Sequence, residues 1–115
     1  MPQLAVLIYA QDSTHAVDAS DADLAVPDAH GRALAESGAL RAAYAFSPRN
    51  LACSIRAAAV TEGPFLDDRS VVAGVSVIDA PTWDDALMIA GTNPQVALGG
   101  GVKVRLIHSG GVVKS

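Results

Sequence analysis

The run Val71 to Asp79, VVAGVSVID, limits what this chain can fold into more than any other stretch. A strand turns alternate side chains to opposite faces. Here Val71, Val75 and Val77 fall on one side while Val72 and Ile78 fall on the other, so neither side suits water. Such a strand belongs in the middle of a sheet. Leu4 to Tyr9, LAVLIY, has the same character and predicts a second central strand, with Leu4, Val6 and Ile8 opposed to Ala5, Leu7 and Tyr9.

Between these strands the pattern changes period. The polar stretch Gln11 to Asp23 reads as a loop leading into a helix over about Leu24 to Ser37, with Asp21 and Asp23 as caps or first-turn acids. Pro27 is expected in the first turn, Gly38 as the left-handed terminator, and Leu24, Ala33 and Leu34 on the buried stripe. Ala39 to Phe46 predicts a strand broken by Ser47 to Asn50. Leu51 to Thr61 is strand-like but weakened by alanines, and Glu62-Gly63-Pro64-Phe65 is the turn after it.

Past the central strand, Thr82 is an N-cap, Asp84 and Asp85 fill a first turn, and Trp83, Ala86, Leu87 and Ala90 follow helical spacing. Gly91-Thr92-Asn93-Pro94 stops that helix. Gln95 to Gly101 reads as a flexible loop, and Val102 to His108 alternates as an outer strand would, with Lys103 and Arg105 on one side. Residues 109–115 are expected to fray.

The order predicts one α+β domain over residues 1–115: a ferredoxin-like split βαβ with an inserted β arm. Two helices can cover only one face of its sheet. The other face would leave on the order of several hundred Å² of apolar surface in water, more than a soluble monomer normally exposes. The core is also thin, since the chain holds 22 alanines but one tryptophan, two tyrosines and two phenylalanines. An isologous homodimer, sheet against sheet, meets both needs, and a small organic molecule could sit in the cleft between the sheets.

Several classes are disfavoured. A net charge of -4 without a Lys/Arg cluster does not make a nucleic-acid surface. The single Cys53 cannot close an intramolecular disulfide and is expected to be a small buried hydrophobe in a reducing compartment. The N-terminal apolar run is too short for a membrane span or a signal sequence, which leads to the expectation of a cytoplasmic protein. His15, His30 and His108 lie far apart and have no metal-ligand spacing, so neither metal nor cofactor is expected. Gly99-Gly100-Gly101 lacks the strand-before, helix-after setting of a phosphate loop.

The segment Thr61-Glu62-Gly63-Pro64-Phe65, then Gly74, the valine-rich strand, Asp85-Ala86 and Asn93-Pro94, resembles the DGPF-type branch of the YCII-related family. Ile8-Tyr9-Ala10-Gln11-Asp12 and Pro27-Asp28-Ala29-His30 are similar to pieces of the YCII-like proteins, so the resemblance spans nearly the whole chain. It implies a dimeric α/β barrel. It also implies a histidine on the first helix, here His30, paired with an aspartate, for which Asp67 and Asp68 are the nearest candidates. A dehalogenase or lactone-processing role is attached to some relatives, and an association with alternative sigma factors to others.

Departures accompany the match. Asp67-Asp68-Arg69-Ser70 replaces the family's acid, threonine, lysine, acid order, Glu62 replaces the first acid of the tetrad, and the arm is shorter than usual.

A histidine and carboxylate in contact can act as a general base, the carboxylate fixing the tautomer. His30 with Asp67 or Asp68 is that candidate pair, against the plainer reading of a packed histidine and two solvated acids. Arg69 and Arg105 could hold an anionic substrate, or could simply pair with acids such as Asp68 or Glu62. Phe65 is a candidate wall of the site and the packing anchor of its turn. Two functions follow: a homodimer with a small-molecule cleft and proton transfer by His30, of lyase, isomerase or dehalogenase type, or a non-catalytic dimeric module acting on a partner such as an alternative sigma factor.

Overall fold

The computed structural model describes residues 2–12, 21–66 and 69–111, with the backbone alone for 21–28. In chain order the elements are β1 (Gln3–Ala10), α1 (Asp21–Ser37), β2 (Leu40–Ala45), β3 (Cys53–Arg56), β4 (Ala59–Glu62), β5 (Val71–Asp79), α2 (Trp83–Gly91), α3 (Pro94–Ala97) and β6 (Gly101–Leu106). Strands β2-β5-β1-β6 form one antiparallel sheet in that order, and β3-β4 form a separate hairpin. The two strands with apolar residues on both faces occupy the centre, as their patterns require. This is the ferredoxin-like α+β layout with an inserted arm.

Register decides what each face carries. Leu4 lies opposite Ile78 and Val6 opposite Ser76, and all four are buried on the side covered by helices. Ala80, Ala86 and Ala90 complete that core, with Ile8, Leu40, Ile89, Val102 and Val104 packed around it. Three of its fully buried members are alanine, so it is thin for a chain of this length.

The other face of the sheet carries Ala5 opposite Val77 and Leu7 opposite Val75, all partly exposed, with Tyr44 opposite Val75 and 64% exposed. On β6, exposed Lys103 and Arg105 lie opposite Leu7 and Ala5 on that same face.

Some expectations change. Helix α1 starts at Asp21, which puts Pro27 in its second turn rather than its first. Ala33 is exposed, Leu34 is half-buried as expected with His30 one helical turn before it, and the Leu24 side chain lies outside the described residues. The strand-like run from Leu51 to Thr61 forms the expected arm as a hairpin. It divides into a 3-10 turn at Arg49–Leu51 and the β3-β4 hairpin, whose cross-strand pair Ile55 and Val60 points into water. Cys53 is exposed, not buried: it lies on the β3-β4 hairpin, which is not hydrogen-bonded into the main sheet.

The stretch after α2 is helical where a loop is expected. Asn93 caps α3 by accepting from the Gln95 backbone N–H at 2.9 Å, and Pro94 takes the first helical position, where its missing N–H costs nothing. The glycines that follow make a tight connection, not a loose one. Gly99 has φ +93°, and a Cβ on Gly100 would run into the Tyr9 carbonyl oxygen. In α2, Ala86 and Ala90 are buried as expected, whereas Trp83 and Leu87 are 50% and 44% exposed. Among the described residues no helix is long and apolar enough to cross a membrane.

Candidate functional site

The inner face of α1 presents His30 and Leu34 to the covered side of the sheet. There they line a small pocket with Val6, Ser76, Ile78, Ile89, Ala90 and Asn93. Its construction follows from sequence. Ser76 sits among valines in the central strand, where the alternation that buries Ile78 also turns its short hydroxyl side chain inward. Asn93 is buried because it ends α2 and starts α3, and its Oδ1 is committed to the Gln95 N–H. That commitment leaves its amide NH2 as a donor.

The pocket is narrow. It opens to solvent, and its cavity volume is about 10 Å³, enough for one water-sized group. Three polar side chains, His30, Ser76 and Asn93, thus meet in an apolar setting with room for one small group. Burial lowers the pKa of His30 below the usual 6.5, because desolvation penalises the imidazolium. The ring is neutral at neutral pH and can accept a proton.

The residues named from sequence are not gathered at this point. Among the described residues no carboxylate lines the pocket, and Asp67 and Asp68 lie outside the described residues, as does His15. His30 also does not look onto the open sheet face, where a cleft between paired sheets would form; it lies on the opposite, helix-covered side. Arg105 is exposed on that open face, and Arg69 is exposed just before β5.

Phe65 is occupied by its own hairpin. The Arg56 guanidinium stacks 3.9 Å from its ring centre, and Arg56 Nη2 donates to the Phe65 carbonyl at 2.6 Å. Arg56 is thus the partner that anchors Phe65, a contact that no sequence motif marks. Gly63, with φ +97°, lets the turn close so that its N–H reaches the Ala52 carbonyl and its carbonyl accepts from Ser54 Oγ, both at 2.7 Å.

Other polar groups went unsingled in the sequence. Arg49 joins three segments: its backbone N–H donates to Asp12 Oδ1, and its Nη1 to the carbonyls of Gln11 and Arg69. Arg41 pairs with Asp79 at the end of β5, and among the described residues the second carboxylate oxygen of Asp79, which is buried, has no hydrogen-bond partner. No short motif marks such contacts, which depend on the strand order. Ser76 and Asn93 did leave a signal: a lone hydroxyl inside a valine strand, and an Asx cap before proline. Among the described residues no three of His, Cys, Asp and Glu gather as a metal would need.

Comparison with curated proteins gave no match. The model of the YCII-related domain matches residues 4–109, from the first buried leucine of β1 to the residues just beyond β6. With that span and this strand order, the chain belongs to the YCII-related domain family.

Proposed function

We propose that this YCII-related chain works as a homodimer paired through the open sheet face, and that each copy binds a small organic molecule at His30 for proton transfer. The observation that carries the chemistry is a desolvated imidazole, its pKa pulled down, beside two buried neutral polar side chains in an otherwise apolar pocket. An imidazole that is unprotonated at neutral pH keeps its lone pair free to accept a proton, a role that contributes roughly 10²–10⁴-fold in rate.

The acid partner expected from the family resemblance, Asp67 or Asp68, would add a tautomer-fixing contact. The pocket supports base chemistry without it, because an apolar wall already keeps the imidazole uncharged. The homodimer rests on the partly exposed Ala5, Leu7, Val75 and Val77, backed by a core too thin to spare that much apolar surface.

The test is a screen of small organic molecules against the full chain, read by NMR at the His30 ring protons. Binders that shift His30 and no longer bind a His30→Ala variant are expected. If every binder found interacts equally well with His30→Ala, the site is elsewhere and this reading falls.

A further inference from the structure

Resting on the reading of His30 as the base, we infer that Ser76 and Asn93 select the substrate: an uncharged carbonyl compound whose oxygen enters the pocket, with His30 removing a proton from the adjacent carbon. The hydrogen-bonding inventory leads there. Asn93 Oδ1 is taken by the Gln95 N–H, so what Asn93 can offer a ligand is its NH2, a donor. Ser76 can donate through its hydroxyl. A neutral imidazole offers a lone pair. Two donors and one base call for a group that accepts hydrogen bonds at one atom and gives up a proton at a neighbouring one.

Charge and size narrow the class further. The remaining walls, Val6, Leu34, Ile78, Ile89 and Ala90, are apolar, and among the described residues no cationic side chain lines the pocket. A carboxylate or phosphate would lose its water there and gain no counter-charge. The space admits one small group, so a carbonyl oxygen fits inside while the rest of the molecule lies at the open mouth.

The chemistry balances without a co-reactant. The His30 lone pair takes the proton from the carbon next to the carbonyl. The C–H electron pair becomes the carbon–carbon π bond, and the carbonyl π pair moves onto oxygen, where the Ser76 hydroxyl and the Asn93 NH2 stabilise the negative charge. The imidazolium N–H exchanges with solvent water; returning that proton to the carbon restores the ketone with its hydrogen exchanged, and returning it to the oxygen gives the enol.

Cyclopentanone and acetate are the probes, one a neutral ketone and the other an anion of similar oxygen chemistry. Both are titrated against the full chain at neutral pH, read at the His30 ring signals and by deuterium exchange into the ketone from D2O. Saturable His30 shifts and protein-dependent exchange are expected with cyclopentanone only. Asn93→Asp keeps a capping oxygen for α3 but removes the donor, and is expected to weaken ketone binding by roughly tenfold or more. Ser76→Ala is expected to weaken it by roughly threefold, and decides alone if Asn93→Asp lowers the folded fraction.

Acetate binding as tightly as the ketone, or unchanged ketone binding in both variants, overturns the inference. If neither probe moves His30 while other compounds bind in a His30-dependent way, this inference falls and the proton-transfer reading above stands.

Discussion

His30 is where residue chemistry and stability can be separated. Its folded pKa lies below 6.5, so as pH falls through that value the unfolded chain takes up a proton that the folded chain resists. Stability therefore declines from about pH 6.5 downward, levels off once the pH passes below the folded pKa, and is unaffected by this group at higher pH. Urea unfolding at about pH 5 and about pH 8 checks this, and His30→Leu is expected to remove His30's share of the difference. A variant with the same acid loss as the parent would mean the imidazole is not desolvated.

Arg41 and Asp79 make a second point at this scale. The Asp79 side chain is only 10% exposed and Arg41 is its ion-pair partner, so Arg41→Ala leaves a buried carboxylate with neither oxygen paired. The expected cost is about 1–3 kcal/mol, measured by denaturant unfolding. Asp79→Asn combined with Arg41→Ala should recover part of it, since the neutral amide is cheaper to bury.

At the level of elements, two positions test why the helices and strands join as they do. Thr82 caps α2 by accepting from the Asp85 N–H at 3.1 Å, and Thr82→Ala is expected to cost about 1 kcal/mol in thermal unfolding. Gly74 lies where β5 runs against the backbone of β2. A Cβ there would stand 2.7 Å from the Tyr44 carbonyl oxygen, a backbone atom that cannot rotate away. Gly74→Ala should cost about 1–3 kcal/mol by forcing the strands apart, whereas alanine at Gly31, where nothing lies within 4 Å, should not.

The same elements explain what could be read from the letters alone. Strands β1 and β5 were legible because both of their faces are apolar, and α2 because cap, acids and spacing agree. Pro27 misled about the start of α1, since proline most often opens a helix and here lies inside one. Gly91 to Pro94 does stop α2, and what the letters did not show is that Asn93-Pro94 also starts α3. In the pocket, His30 was visible through family likeness. Ser76 stood out only as a lone hydroxyl among valines, and its place in the pocket follows only once the register shows which face is covered.

For the whole molecule, the sheet stands between the face proposed for assembly and the pocket proposed for chemistry. Its open face carries Leu7, Val75 and Val77, while His30, Ser76 and Asn93 lie behind it under the helices. If pairing through the open face holds the dimer, a charge at its centre should break association. Leu7→Lys and Val77→Lys are expected to sediment as single subunits at micromolar concentration, where the parent sediments as a dimer, and to melt at lower temperature because apolar area returns to water. The His30 pocket is built within one copy, so the separated subunits should keep the lowered imidazole pKa, followed by NMR titration of the ring protons. Retention of the dimer in both lysine variants would place the contact elsewhere. A single-subunit variant whose His30 titrates near the ordinary value would mean that the partner, and not the helices alone, keeps that ring dry.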